Sequence, residues 1–106
     1  MDEKKGIIKL CRSLPNNREG RLIGDQLFRS GTSVAANYRA ACRSRSKAEF
    51  VSKLAIVEEE GDESLFWLEL IKDMKISSEA AVDTLMQESD ELIAIMVSSI
   101  KTVKKK

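Results

Sequence analysis

The segments from Gln26 to Ala41 (QLFRSGTSVAANYRAA) and from Ile56 to Ile71 (IVEEEGDESLFWLELI) decide the fold of this chain. At about 100° per residue, the apolar side chains in and around each segment, Leu22 among them, fall on one broad arc, which predicts two long amphipathic helices. Polar side chains fall on or beside the same arcs, namely Ser30, Ser33, Asn37, Glu60, Glu63 and Ser64. Because a carboxylate taken out of water must be paired, hydrogen-bonded or protonated, we expect a buried polar network between the two helices.

This predicted network has acidic acceptors on one helix and small polar donors on the other. The carboxylates of Glu60 and Glu63 are expected to accept hydrogen bonds from Ser30, Ser33 and Asn37. Buried polar groups sometimes specify how neighbouring elements align. The network is therefore expected to set the register of the second and third helices.

Length and composition indicate one all-α domain over residues 1–106. The chain has one proline and five scattered glycines, which is typical of long helices and not of a turn-rich β fold. Cys11 and Cys42 have no metal-binding spacing, and no apolar signal segment begins the chain. A reducing cytoplasm is thus the expected setting. The apolar runs are too short for a membrane-spanning helix, so no membrane association is expected.

Four helices are predicted, joined by short connections. Two helix starts carry capping-box signatures, Asn16 with Glu19 and Ser46 with Glu49. Short connections make successive helices antiparallel neighbours, so the predicted architecture is an antiparallel up-and-down four-helix bundle. The predicted helices run from about Glu3 to Ser13, from Asn17 to Arg43, from Lys47 to Met74, and onward from a cap at Ser77 or Ser78.

Charge is sorted along the chain, although the net charge is only +1. From Lys4 to Lys53 there are twelve basic residues and three acidic ones, and from Leu54 to Ala94 two basic and twelve acidic ones. The remainder, from Ile95 onward, has four lysines and no acid. This distribution predicts a basic half of the bundle against an acidic half, with a basic tail.

A stripe of basic side chains is the candidate binding surface. Most of these residues share the outward arc of the second helix, and the others lie in the turn that follows it. Such a stripe can bind phosphates, because each neutralised phosphate releases counterions. It can equally face the acidic surface of another subunit, or water. The stripe consists of Arg18, Arg21, Arg29, Arg39, Arg43, Arg45 and Lys47.

Enzymatic functions find little support in the sequence. The chain has no histidine, which excludes the Glu-x-x-His pairs of di-iron bundles and the commonest general base. The pairs Glu60-x-x-Glu63 and Glu88-x-x-Glu91 are similar to those of magnesium-dependent nucleotide pyrophosphohydrolases, but Glu91 projects away from the apolar stripe of its helix. We therefore predict no catalytic residue, metal or cofactor, and keep the pyrophosphohydrolase as a remote alternative.

Two motifs of the chain resemble a known bacterial family. They are residues 26–40 (QLFRSGTSVAANYRA), which are followed by residues 43–50 (RSRSKAEF), and residues 60–70 (EGDESLFWLEL). The family is known from proteins encoded in intervening sequences of 23S ribosomal RNA genes, also called S23 ribosomal proteins. It includes the accessory variability proteins of diversity-generating retroelements. The motifs agree in order and spacing, so the resemblance covers nearly the whole chain.

The resemblance implies a four-helix bundle that assembles into a ring-like homopentamer and has no established catalytic activity. In the retroelement branch the ring binds nucleic acid through a basic surface and partners a reverse transcriptase. This chain departs from the family in its short first helix and near-neutral charge. The predicted function is a non-enzymatic, homo-oligomeric scaffold associated with RNA or DNA. The alternative is a protein-interaction oligomer that binds no nucleic acid.

Overall fold

The protein is an antiparallel up-and-down bundle of four α-helices, as predicted. The structure, a computed structural model, describes residues 3–105, with side chains for residues 6–103. Its helices are α1 (Glu3–Ser13), α2 (Arg18–Cys42), α3 (Lys47–Met74) and α4 (Glu79–Lys105). Helix α2 packs beside α3, α3 beside α4, and α1 beside both α2 and α4, within an envelope of 48 × 19 × 19 Å. None of these helices combines the length and apolar character needed to cross a membrane.

The helix starts follow local capping chemistry, with one correction to the sequence prediction. The N-cap of α2 is Asn17, not Asn16, and its side-chain oxygen accepts the Gly20 N–H at 2.8 Å. The N-cap of α3 is Ser46, as predicted, and it accepts the Glu49 N–H at 3.0 Å. These caps satisfy N–H groups that have no partner within the helix.

The connection between α3 and α4 is held at both of its ends. Lys75 ends α3 in the left-handed region (φ 55°), and Ser78 accepts the Ala81 N–H at 3.5 Å where α4 starts. Lys72 Nζ lies 2.7 Å from Asp83 Oδ1, which joins the last turn of α3 to the first turns of α4.

The core consists of two apolar clusters. The first, which we call the upper cluster, contains residues of all four helices, whereas the second, the lower cluster, contains residues of α2, α3 and α4 only. Helix α1 has 11 residues and α2 has 25, so α1 extends along only part of its neighbour. The buried side chains of the upper cluster are Ile7, Leu10, Ile23, Leu27, Leu68, Ile71, Val82 and Leu85, and those of the lower are Val34, Ala41, Leu54, Val57 and Met96.

A layer of three buried serines separates the two clusters along the bundle. Ser30, Ser64 and Ser89 are each at most 2% exposed. The hydroxyl oxygens of Ser30 and Ser64 lie 2.9 Å apart across the α2–α3 contact, and the Ser64 hydroxyl is also 2.9 Å from the Glu60 carbonyl oxygen. Hydrogen bonding of this kind offsets the cost of placing hydroxyls in a core.

Close approach of α1 to α2 depends on glycine. A Cβ built on Gly31 would lie 2.8 Å from Ile7 Cδ1, closer than van der Waals contact allows. Gly31 therefore makes room for Ile7, which is 2% exposed and belongs to the upper cluster.

Candidate nucleic-acid interface

The seven predicted basic residues are all exposed, but they do not form one continuous stripe. Arg18 and Arg21 lie in the first turn of α2, and Arg39 lies in its last turn. At the α-helical rise per residue, Arg21 and Arg39 are about 27 Å apart along the helix axis. The stripe therefore divides into one group near each end of α2, with Arg29 between them.

Arg29 is engaged with the acidic residues of α3. Its Nη1 lies 3.2 Å from Glu60 Oε2, and its Nη2 pairs with the Glu63 carboxylate. The Arg29 side chain is half exposed, whereas that of Glu60 is 22% exposed. A guanidinium that already neutralises two carboxylates contributes little net charge toward a phosphate, so Arg29 is the weakest of the seven candidates.

The hydrogen-bond partners in the polar network differ from those predicted. Glu60 and Glu63 pair with Arg29, and not with Ser30, Ser33 or Asn37. A helical projection shows which side chains share a face, but it does not show which residues of two facing helices lie at the same level. The antiparallel packing places Arg29 within reach of two acids one turn apart.

The small polar groups of α2 find other partners. The Ser30 hydroxyl is hydrogen-bonded to the Ser64 hydroxyl in the serine layer. Within α2, Asn37 Nδ2 donates to the Ser33 carbonyl oxygen at 2.9 Å and lies 3.1 Å from the Ser33 hydroxyl. Ser64, which the sequence placed on or beside the apolar arc of α3, is the residue that contacts Ser30.

The geometry gives no support to the magnesium-dependent alternative. A guanidinium occupies the position between Glu60 and Glu63 where a cation would have to sit. Glu91 is exposed, and Glu88 lines a groove between α1 and α4. Across the residues that the structure describes, no three acidic or cysteine side chains are grouped to hold a metal ion.

The cysteines are both free thiols. Burial, together with the nearby Asp25 carboxylate, raises the pKa of Cys11 to about 11. The Cys11 thiol lies 3.5 Å from the Gly24 carbonyl oxygen and stays protonated at neutral pH. Cys11 thus acts as a packing residue between α1 and α2.

Several basic residues from different helices lie at one end of the bundle. Arg39 comes from the last turn of α2, Arg43 and Arg45 from the connection, Lys47 from the start of α3, and Lys101 from α4. Ile100 of α4 packs against the same lower cluster as Tyr38 and Phe50, which shows that α4 extends to this end. We call Arg39, Arg43, Arg45, Lys47 and Lys101 the basic end. Its α4 member was absent from the predicted stripe, because only antiparallel packing brings it there.

Acidic residues do little to neutralise the basic end. The sole acid between Ala36 and Lys53 is Glu49, whose carboxylate accepts the backbone N–H of Arg45 at 3.3 Å. Within the described part of the chain, the side chains of the basic end take part in no ion pair. Unpaired like charges close together produce a local positive potential that attracts polyanions.

The fold and both sequence motifs agree with the comparison to known proteins. The profile of the family described as 23S rRNA-intervening sequence protein matches residues 1–98. The chain belongs to this family. Membership confirms the family resemblance that residues 26–50 and 60–70 indicated.

A solved structure supports the same assignment. The 1.70 Å crystal structure of a protein from the S23 ribosomal protein family of Bacteroides thetaiotaomicron VPI-5482 is 31% identical to the chain, with a TM-score of 0.87. The match covers 94% of this chain and 93% of that one. That protein is described as having unknown function, and no curated protein matches the chain.

Proposed function

We propose that this protein is a non-enzymatic, homo-oligomeric scaffold that binds the phosphate backbone of RNA or DNA through its basic end. The observation that carries the proposal is that five exposed cations, from α2, α3, α4 and one connection, lie at the same end of the bundle and form no ion pair with a carboxylate of the described residues. The family description, which names a 23S rRNA intervening sequence, supports a nucleic-acid setting.

The affinity of such a surface depends on salt in a predictable way. Each phosphate that a lysine or arginine neutralises releases condensed counterions, so the logarithm of the association constant falls with the logarithm of salt concentration, by about 0.9 per contact for a duplex. Five contacts would produce a slope of about −4 to −5 by the same rule. Binding is therefore expected at low salt and should weaken steeply as salt is added.

Combined replacement of Arg39, Arg43 and Arg45 by alanine is expected to weaken nucleic-acid binding at least about 10-fold and to make the salt slope shallower by about 3. Fluorescence anisotropy with a labelled RNA hairpin and a labelled DNA duplex, over a series of salt concentrations, measures both quantities. The matched control is Arg18→Ala with Arg21→Ala, which removes charge from the opposite end of α2 and should have the smaller effect. Absence of binding at low salt, or equal affinities for the triple variant and the wild type, would refute the proposal.

A second feature favours the homo-oligomeric part of the proposal. The α2–α3 pair exposes three large apolar side chains: Leu22 is 58% exposed, Phe66 54% and Met74 42%. Leu22 was predicted on the apolar arc, but it faces outward because that arc extends past the α2–α3 contact. We call Leu22, Arg29, Phe66 and Met74 the outer face.

The aromatic side chains of α3 give the outer face the character of a protein interface. The Phe66 ring packs edge-to-face on Trp67 at a centroid distance of 4.9 Å. The buried Trp67 Nε1 has no hydrogen-bond acceptor among the described residues. Aromatic residues and arginine are enriched among the residues that dominate binding energy at interfaces. A second copy of the chain is the proposed occupant, and the family resemblance implies five copies in a ring.

A charge placed on the outer face should separate the subunits. Phe66→Glu is expected to shift the protein toward the monomer in sedimentation velocity, because it places a carboxylate in an apolar contact. Phe28→Glu is the matched control, since Phe28 is similarly exposed, at 48%, but lines a groove between α1 and α2. If Phe66→Glu sediments like the wild type, the outer face is not the subunit contact. A repeat at high salt would show whether basic α2 and acidic α3 surfaces contribute across the interface.

A further inference from the structure

We infer that the basic end binds double-stranded nucleic acid in preference to single strands, and that Lys101 of α4 is one of its phosphate contacts. This inference rests on the proposed function and specifies the form of nucleic acid. It follows from the placement of the cations and from the position of the aromatic side chains.

The cations of the basic end are spread over the end of the bundle instead of following one helix. Arg39 and Lys101 lie on different helices, and the bundle is 19 Å wide in both short dimensions. The major groove of a duplex is about 12 Å wide, so a surface of this breadth can reach phosphates on both of its strands. A single strand presents one line of phosphates and would engage fewer of these cations at once.

The basic end lacks the aromatic platform on which single-strand binders depend. Such proteins stack successive bases on exposed aromatic rings, in addition to contacting the backbone. The exposed aromatic residues, Phe28 and Phe66, lie near the middle of α2 and α3, and each is two residues from a serine of the serine layer. The aromatic residues nearest the basic end, Tyr38 and Phe50, are partly buried against the lower cluster. Unpaired bases would therefore gain little stacking energy at the basic end. A duplex does not need such stacking, because it can be bound through its phosphates alone.

Backbone contacts also predict weak dependence on nucleotide sequence. Phosphates carry no sequence information directly, and they position a protein without specifying a site. Lys101 is exposed and belongs to no ion pair within the described part of the chain, so its charge is available to a phosphate.

The test compares the wild-type protein with 20-nucleotide labelled probes at low salt by fluorescence anisotropy. The probes are an RNA duplex, a DNA duplex of matching sequence, and oligo(U) and oligo(dT) single strands. The two duplexes are expected to bind at least about 10-fold more tightly than the single strands, with the RNA and DNA arms showing which duplex is favoured. Lys101→Ala should reduce the magnitude of the duplex salt slope by about 1, whereas the matched control Lys9→Ala, on α1, should leave it unchanged.

Two of the possible outcomes separate this inference from the proposed function. Single strands that bind as tightly as duplexes, with the Arg39, Arg43 and Arg45 triple variant still defective, would overturn the duplex preference and leave the nucleic-acid function standing. An unchanged duplex salt slope in Lys101→Ala would overturn the assigned contact. Failure of every probe to bind would overturn both proposals.

Discussion

Gly20→Ala is expected to lower the free energy of unfolding by about 2 kcal/mol, although alanine is the better helix former by about 1 kcal/mol. A Cβ at this position would overlap the backbone carbonyl oxygen of Pro15, and it would lie 3.0 Å from the Asn17 side-chain oxygen that caps α2. Backbone cannot move aside as a flexible side chain can. The α1–α2 connection would have to shift, with loss of the cap.

Chemical denaturation followed by circular dichroism measures this effect, and the same helix provides the control. A Cβ on Gly24 would lie 3.4 Å from Leu14 Cδ1, which is ordinary van der Waals contact. Gly24→Ala should therefore leave stability unchanged or raise it by up to about 1 kcal/mol, through helix propensity. Equal effects of the two substitutions would show that the contact with Pro15 does not constrain Gly20.

Leu68→Ala is expected to destabilise the protein by about 3 kcal/mol, the largest effect of a single side-chain truncation that we predict. Leu68 is 0% exposed and belongs to the upper cluster. Its removal loses apolar burial and leaves a cavity that the surrounding helices can fill only in part.

Leu22→Ala is the matched control for this truncation, because it deletes the same atoms from a side chain that is 58% exposed. It should change the unfolding free energy by less than about 0.5 kcal/mol in the monomer. Both variants must be compared at the same protein concentration, since subunit association adds to apparent stability. An additional cost at Leu22 that grows with protein concentration would support the proposed subunit contact at the outer face. A cost at Leu68 below about 1 kcal/mol would contradict its assignment to the core.

Helix periodicity and capping chemistry are local properties, and they were predictable. The bounds of α1, α2 and α3 and the start of α4 were predicted to within one or two residues, and the Ser46 cap was identified correctly. The shift from Asn16 to Asn17 reflects a choice between two adjacent residues with equivalent capping groups. The capping-box pattern favours Asn16, because Glu19 follows it by three residues, but in the structure Asn17 accepts the Gly20 N–H.

Partners between helices were not predictable in the same way. Arg29 was assigned to an outward basic stripe, and Glu60 and Glu63 to a network with Ser30, yet Arg29 pairs with both acids. A long side chain at the edge of a helix can reach either solvent or the neighbouring helix. Which of these occurs depends on the level at which the helices face each other, and periodicity carries no information about that level.

The amino-acid sequence alone determined the helices, the four-helix class and the family, because these depend on residue spacing along the chain and on motifs within it. Only the tertiary structure decided what its polar and charged residues do. Antiparallel packing joined Ser30 to Ser64 in the core, paired Arg29 with acids of α3, and brought Lys101 to the end of the bundle that holds Arg39. The physical reason is distance, since these groups are far apart in the chain and become neighbours only when burial of the apolar faces sets the helix register.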